Sequence, residues 1–331
     1  MSTTNTVPAY HSGPDFPDAR FVTAGDVTFA VYESGPEHGR PVLLLHGWPE
    51  LAYSWKLVMP ELAAAGYRAI AIDMKGFGRS SRPDDVSRYS ADVMTDDLAR
   101  LIPALGHDTV ILCGHDWGGA LVWPMAYRHP DLVDGVIGIC TPHVPRAPIA
   151  PLTIYRKRGT DRHYMVQFQD AGLPDRAFGG REDLFTQFIF SVTPPRSVWP
   201  KLLPQALFLP DRFENFSGNP AEKLIMGADD RAVFARAYAQ TGHRTPTHVY
   251  RNIDRNWEIT EGIDLTVHQP CLMLMAELDM MLPPELADAM DDLCPDLEKQ
   301  LLPDTGHWAM WENPEAVNRH MLDWLSRRFP A

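Results

Sequence analysis

One five-residue segment of the chain has the pattern of a turn that exposes a nucleophile. Residues 114–118 read Gly-His-Asp-Trp-Gly, directly after an apolar run and directly before a stretch with helical spacing. In such a nucleophile elbow the central side chain is held at the top of a sheet and at the start of a helix. The central residue is Asp116, and an aspartate carboxylate needs no base to become a nucleophile at neutral pH. The alternative is an aspartate that only caps the helix between two turn glycines.

Two further signals complete a possible catalytic triad. His307 lies in a Gly-His-Trp sequence between the last predicted strand and the last predicted helix, so it follows Asp116 in the order nucleophile, acid, histidine. The acid should follow the preceding strand, where the chain offers both Glu277 and Asp279. Residues two positions apart on an extended chain share one face. The spacing therefore leaves both carboxylates open as the partner of His307.

A second loop is a candidate for an oxyanion hole. Residues 46–49 read His-Gly-Trp-Pro at the end of an earlier predicted strand. In this arrangement one backbone N–H comes from the loop, here from Trp48, and the other from the residue after the nucleophile, here Trp117. A simple strand-to-loop turn is the alternative interpretation.

An aspartate nucleophile restricts the reaction. Attack on an ester carbonyl would give a labile mixed anhydride, whereas attack on a saturated carbon with a leaving group gives a stable alkyl ester. An epoxide or a carbon–halogen bond supplies such a carbon, and His307 would then activate the water that hydrolyses the ester. An epoxide oxygen leaves as an alkoxide and needs donors such as two tyrosine hydroxyls. A halide needs only weak donors such as indole N–H groups.

The order of predicted elements places these residues at strand ends. Strand and helix signals alternate on both sides of a helical segment, which indicates a mostly parallel, doubly wound α/β sheet with a helical cap inserted after the sixth strand. Ligands of such sheets bind beyond the carboxyl ends of the strands. The expected organisation is an N-terminal arm (1–20), a core (21–140 and 266–331) and a cap (141–265). The predicted strands are 21–24, 27–33, 41–45, 68–72, 109–113, 133–140, 271–276 and 298–302; the predicted helices are 54–65, 90–105, 117–128 (interrupted near Pro124), 180–191, 220–241, 284–293 and 314–328.

Composition excludes several classes of protein. The 331 residues carry 43 acidic and 30 basic side chains, a formal net charge of −13, and no basic run longer than residues 156–158. Nucleic acid and anionic membrane are therefore poor partners. Neither a signal peptide nor a membrane span is visible. The four cysteines have no metal-ligand spacing, which fits a reduced, cytoplasmic setting.

On these motifs the sequence resembles the epoxide hydrolases of the α/β-hydrolase fold. It is similar to the bacterial members and to the C-terminal hydrolase domain of the mammalian soluble enzyme, from about residue 21 to the C-terminus. The most specific match is Tyr-Arg-Asn-Ile-Asp-Arg-Asn-Trp in the cap. The matching stretches are residues 46–50, 73–78, 114–119, 250–257 and 306–308.

The resemblance implies roles that spacing alone does not give. The family acid falls on Asp279, which decides against Glu277. The family has two lid tyrosines, which fall on Tyr250 and Tyr164; Tyr155 is a nearby competitor for the second position. The expected enzyme uses no metal or organic cofactor and acts on a small apolar epoxide and water.

Four aromatic residues are candidates for lining an apolar substrate pocket. They are Trp48, Trp117, Phe168 and Trp308. Most buried aromatic side chains only fill a core, which is the alternative for each of them.

Three other functions compete with epoxide hydrolysis. Trp117 fits a haloalkane dehalogenase as a halide contact, but Trp48 stands where those enzymes commonly show asparagine. A fluoroacetate dehalogenase is disfavoured because its site resembles an arginine-bearing turn after the nucleophile, whereas this chain has Trp117 there. A binding protein on a hydrolase scaffold would need neither His307 nor Asp279. The particular epoxide, the stereochemistry and the oligomeric state stay open.

Overall fold

The computed structural model describes residues 15–331 apart from residue 160. The predicted N-terminal arm, residues 1–20, therefore lies outside the described residues except for its last six positions. The first strand begins at Arg20, so the last residue of the predicted arm already belongs to the sheet.

Within the described residues, eight strands form one sheet in the order β1-β2-β4-β3-β5-β6-β7-β8. The strands are β1 (Arg20–Ala24), β2 (Val27–Ser34), β3 (Pro41–Leu45), β4 (Arg68–Ile72), β5 (Val110–His115), β6 (Val133–Ile139), β7 (Cys271–Ala276) and β8 (Leu297–Leu302). β2 pairs with β1 and β4 in antiparallel fashion, and the other neighbours are parallel. This is the mostly parallel sheet that the sequence predicts.

Fourteen α-helices are present in the described residues. They are α1 (Met59–Ala64), α2 (Ala91–Ala104), α3 (Trp117–Arg128), α4 (Pro151–Gly159), α5 (Tyr164–Gln167), α6 (Leu173–Phe178), α7 (Glu182–Ile189), α8 (Trp199–Ala206), α9 (Leu209–Glu214), α10 (Ala228–Thr241), α11 (His248–Arg251), α12 (Ile253–Glu258), α13 (Ala309–Glu312) and α14 (Pro314–Arg328). Five of them (α1–α3, α13 and α14) alternate with or follow the strands, and the other nine (α4–α12) lie one after another between β6 and β7. In the part of the chain that is described, no helix is long and apolar enough to cross a membrane.

Four predicted helices differ in detail. The helix predicted at 220–241 begins only at Ala228, as α10, after a separate 3-10 turn at Ala221–Lys223. The predicted helix 54–65 is two pieces, a 3-10 turn at Ala52–Trp55 and then α1, which begins just before Pro60, where a proline is tolerated. The helix predicted at 284–293 is a 3-10 helix, Pro284–Asp292. The interruption predicted near Pro124 is wrong: α3 continues through this residue, because proline removes only one helical N–H from an element whose inner face is buried.

The sheet is buried on both faces, and β3 shows why. Val42 and Leu44 point into one hydrophobic cluster, whereas Leu43 and Leu45 point into the other, and all four side chains are inaccessible to solvent. A continuous apolar run is what a parallel strand between two layers of helices requires.

The carboxyl ends of the parallel strands meet at one edge of this sheet. The loop after β3 carries Trp48, β5 ends directly before Asp116, the loop after β7 carries Asp279, and the loop after β8 carries His307. Four residues that are far apart in the chain therefore converge on a single edge.

The helices between β6 and β7 are joined to the rest of the chain by polar contacts. Asp230, in the first turn of α10, accepts hydrogen bonds from the Tyr53 hydroxyl (2.7 Å) and the Lys56 ammonium group (2.8 Å). On another side, the Asn256 side-chain oxygen accepts the backbone N–H of Ala91 (2.7 Å) at the start of α2.

Gly118 marks a close approach between α3 and the sheet, and we expect its replacement to destabilise the fold. A Cβ at this position would lie 2.0 Å from the backbone oxygen of Leu45 in β3, which cannot move aside without shifting the strand. Gly118→Ala should lower the free energy of unfolding by at least about 2 kcal/mol in a urea titration. The control is Gly227→Ala, where the nearest atom is 3.9 Å away and a change within about 1 kcal/mol is expected. Equal effects of the two substitutions would contradict this account.

Candidate active site

Asp116 sits on a strained turn between β5 and α3. Its backbone has φ 50° and ψ −119°, a conformation that non-glycine residues rarely adopt and that recurs at functional sites. The turn brings the carboxylate against Gly47, where a Cβ would lie 2.3 Å from the Asp116 side chain. A larger residue than glycine would therefore displace the carboxylate.

The two oxygens of the Asp116 carboxylate have different environments. Oδ1 accepts the backbone N–H of Trp48 at 2.6 Å. Oδ2 lies 3.6 Å from Nε2 of His307. The backbone N–H of Trp117 belongs to the first residue of α3, where helical N–H groups have no helical acceptor. One oxygen is thus held by the loop after β3, and the other faces the histidine.

The structure brings Asp279, not Glu277, to His307. Asp279 is fully buried, and its Oδ2 lies 2.7 Å from Nδ1 of His307. Its Oδ1 accepts the backbone N–H groups of Met281 and Leu282, each at 2.9 Å. The Glu277 carboxylate instead accepts the backbone N–H of the residue at position 304, at 2.9 Å. Geometry therefore separates the two acids that spacing could not.

Two carboxylates hold His307 in a charged environment. Burial alone would lower the pKa of this imidazole, but the charge of Asp279, its hydrogen bond to His307 and the nearby Asp116 carboxylate outweigh burial, so the pKa lies well above 6.5. Conversely, burial raises the pKa of Asp279, and the charge and hydrogen bond of His307 reverse this effect and lower it. Each group keeps the other charged.

Tyr164 and Tyr250 lie together above this site. Their side chains are buried, and their ring centroids are 5.5 Å apart. Burial raises the pKa of both hydroxyls well above 10, and the charge of Asp116 raises each further. Both phenols therefore stay protonated and can act as donors.

Tyr155, the competitor for the second lid position, occupies a different place. Its ring stacks on His163 at 4.7 Å, and His163 in turn stacks on Tyr164 at 5.3 Å. Tyr164 in turn contacts Tyr250, at 5.5 Å between ring centroids.

Three of the four predicted lining aromatics surround Tyr250. The ring centroids of Trp117, Phe168 and Trp48 lie 4.9, 5.3 and 5.5 Å from that of Tyr250. Trp308 lies elsewhere: it contacts His307 (4.7 Å) and Phe190 (5.0 Å), and its indole N–H donates to the backbone oxygen of Ile189 at 3.0 Å. It joins the histidine loop to the end of α7.

A buried pair behind the site was not recognised from the sequence. The Glu50 carboxylate accepts the Gly47 N–H (2.8 Å) and lies 2.7 Å from Nδ1 of His115, whose Nε2 lies 2.7 Å from the backbone oxygen of His307. Although burial raises the pKa of Glu50, His115 lowers it to about 2. Both residues lie in the matching segments 46–50 and 114–119, but only the fold reveals that they meet.

One group of side chains has the atom types of a metal site. Ligand atoms of His115, Cys140 and His307 lie within 4.8 Å of one another. These atoms already have partners, since His115 and the Cys140 thiol both contact the backbone oxygen of His307 and the His307 ring contacts Asp279. We assign no metal to this group.

Comparisons with known proteins agree with this geometry. The family described as alpha/beta hydrolase fold matches residues 40–314. Epoxide hydrolase A of Mycobacterium tuberculosis is 32% identical, over 94% of this chain and 98% of its own length. Bifunctional epoxide hydrolase 2 of Sus scrofa is also 32% identical, but the chain spans only 51% of that protein. The crystal structure of epoxide hydrolase A from Mycobacterium thermoresistibile has a TM-score of 0.84 at 30% identity and covers 93% of this chain and 98% of its own.

The chain therefore belongs to the alpha/beta hydrolase fold family. Within that family, the relatives just described are epoxide hydrolases, which confirms the resemblance found in the sequence and the expectation of a hydrolase enzyme.

We expect His307 to hold its second proton above the usual pH range of histidine. An NMR pH titration should show a midpoint well above 6.5. Because the folded-state pKa exceeds the unfolded value, this group favours folding fully below the unfolded pKa, and the effect is lost as pH rises through the folded pKa. Asp279→Asn should lower the midpoint, whereas Glu277→Gln should not. A midpoint at 6.5 or below, or equal shifts in the two variants, would contradict the assignment.

Proposed function

We propose that the protein is an epoxide hydrolase that converts an epoxide to a vicinal diol. The observation that carries the proposal is the combination of an aspartate nucleophile with two buried, protonated tyrosines. The rings of Trp48, whose backbone N–H donates to Asp116, and of Trp117 both pack against Tyr250. The names of the relatives support the same substrate class.

In the first half-reaction the free oxygen of Asp116 attacks. Oδ1 is held by the Trp48 N–H, so Oδ2 forms the new ester bond to a ring carbon while the bond from that carbon to the ring oxygen breaks. The ring oxygen leaves as an alkoxide and takes a proton from Tyr164 or Tyr250, and the other hydroxyl donates a hydrogen bond. The product of this step is a hydroxyalkyl ester of Asp116.

In the second half-reaction water hydrolyses this ester. His307 takes one proton from water, and the hydroxide adds to Cγ of Asp116, with the Trp48 and Trp117 N–H groups stabilising the oxyanion. The alkyl oxygen leaves and takes the proton from His307, which releases the diol. The carboxylic acid that remains returns the second water proton to the tyrosinate, so atoms and protons balance.

The charges around His307 fit this order of steps. In the free enzyme the pKa of His307 is raised by Asp279 and by Asp116. Ester formation removes the charge of Asp116, which lowers the pKa of His307. The imidazolium then releases its second proton to solvent and acts as a neutral base, and it takes a proton back from solvent once the Asp116 carboxylate is free again. The histidine thus becomes a base at the stage at which water has to be activated.

The helices between β6 and β7 form the cap in this proposal. We assign residues 141–265 to the cap, and 21–140 with 266–331 to the core. The cap contributes Tyr164, Tyr250 and Phe168, and the core contributes the triad. The active site thus lies between the two.

Haloalkane dehalogenation is the enzymatic alternative that the test must exclude. It would use Asp116, His307 and Asp279 in the same way, with indole N–H groups as halide contacts. The Trp117 side chain forms a hydrogen bond with the Tyr250 side chain, so its indole N–H already has a partner. This favours the tyrosine hydroxyls, and not the indole, as the donors to the leaving group.

The proposal predicts that the lid tyrosines serve ester formation. Tyr250→Phe and Tyr164→Phe should each slow ester formation with styrene oxide by about 100-fold, because an alkoxide leaves poorly without a proton. Tyr155→Phe, the matched control, should stay within about threefold of the unmutated enzyme. Rapid-quench mass spectrometry measures the ester, and chromatography measures the diol.

Two results would overturn the proposal. One is turnover of 1-bromobutane without turnover of any epoxide in a panel of terminal, internal and aromatic epoxides. The other is unchanged ester formation in Tyr250→Phe, which would remove the tyrosine from the reaction.

A further inference from the structure

The carboxylate of Glu312 contacts the loop that carries His307. This loop runs from the end of β8 at Leu302 to the start of α13 at Ala309 and contains no helix or strand of its own. Glu312, the last residue of α13, folds back onto it. Its Oε2 accepts the backbone N–H of Gly306 at 3.1 Å, and its Oε1 accepts that of Trp308 at 3.0 Å.

These two bonds flank the catalytic histidine. Glu312 holds the N–H groups on either side of His307, and His115 holds the backbone oxygen of His307 at 2.7 Å. The main chain is thus fixed from two directions, while the side chain reaches Asp279 and faces Asp116. A displacement of about 1 Å at a reacting group can reduce a rate about 100-fold.

Glu312 also contributes charge. Burial raises the pKa of its carboxyl above the usual range, and the bonds from Trp308 and Gly306 and the charge of His307 act in the opposite direction. Its charged neighbours are thus His307, which attracts its charge, and Asp279, which repels it.

We propose that Glu312 is a positioning residue for the hydrolysis half-reaction, an inference that rests on the proposed epoxide hydrolase function. Ester formation uses Asp116 and the tyrosines and does not need His307 as a base. Hydrolysis needs the Nε2 atom of His307 at a defined place. Glu312 therefore acts on the second step through the backbone of the histidine.

The charge of Glu312 matters most after the ester has formed. The groups that face His307 are then the neutral Asp116 ester, Asp279 from the loop after β7, His115 from the end of β5, the Cys140 thiol after β6, and Glu312 from α13. Of these groups, Asp279 and Glu312 are the carboxylates whose negative charge stabilises the imidazolium form of His307 after Asp116 has lost its charge. Removing the charge of Glu312 makes His307 a weaker base.

Glu312→Gln tests the inference because glutamine has nearly the same shape but only one acceptor atom. In single turnovers with styrene oxide, ester formation should stay within about threefold of the unmutated rate, whereas ester hydrolysis should fall about 10-fold or more. The ester should accumulate in intact-mass spectra. The midpoint of the acid limb of the hydrolysis step should move to lower pH, since the pKa of His307 falls.

Two further variants make the test specific. Glu315→Gln, an exposed glutamate in the first turn of α14, is the matched control and should change neither step. Glu312→Asp keeps the charge with a shorter reach and should hydrolyse the ester faster than Glu312→Gln. If the glutamine variant does not fold, the aspartate variant is compared with the unmutated protein instead, and its hydrolysis step should be slowed more than its ester formation.

The outcomes distinguish this inference from the proposed function. If the unmutated protein forms an ester and Glu312→Gln hydrolyses it at the unmutated rate, the inference is wrong. It is also wrong if both steps slow by the same factor, or if the aspartate variant is no faster than the glutamine variant, because a purely structural role predicts those results. If the unmutated protein forms no ester with any epoxide, the proposed function fails, and this inference fails with it.

Discussion

The hydrogen bond between the Trp48 N–H and the Asp116 carboxylate is the contact on which the arrangement of the site depends. It spans 2.6 Å and joins the ends of two neighbouring parallel strands, β3 and β5. Asp116 makes this bond from a backbone with positive φ, and position 47 must be glycine, because a Cβ there would overlap the carboxylate. The turn is costly in isolation. It persists because α3 and both strands are packed in the core on either side of it.

The same edge of the sheet collects buried negative charge, and backbone N–H groups make this possible. An unpaired buried carboxylate would be neutralised or expelled, so each one needs donors. Four carboxylates around His307 and His115 each accept at least one backbone N–H. The pairs are Asp116 with Trp48, Asp279 with Met281 and Leu282, Glu50 with Gly47, and Glu312 with Gly306 and Trp308. The fold thus supplies fixed dipoles that hold the acids in place, and His307, whose pKa is raised, supplies positive charge.

Local patterns predicted the parallel sheet well. The predicted strands 41–45, 68–72 and 271–276 have the bounds that the structure shows, because short apolar runs between turn residues are strong signals for buried strands. The helix expected at 54–65 is split, since its early part follows directly on the loop that carries Trp48.

Residues of the site were recognised from the sequence where a motif carries them and missed where only the fold does. Spacing could not choose between Glu277 and Asp279, because the direction of each carboxylate depends on the turn after β7. The pairing of Glu50 with His115 joins residues 65 positions apart, and no local pattern reports such a contact. Glu312 reads as an ordinary helix-end glutamate until its contacts with the histidine loop are visible.

The most direct test of the account is intact mass spectrometry of a His307→Gln variant incubated separately with styrene oxide and with 1-bromobutane. Without its base the enzyme should form the ester of Asp116 and fail to hydrolyse it. We predict an adduct with the mass of the whole epoxide, absent when Asp116→Ala is added. An adduct with the mass of the butyl group alone would contradict epoxide hydrolysis and identify a dehalogenase; an epoxide adduct that survives Asp116→Ala would contradict the nucleophile.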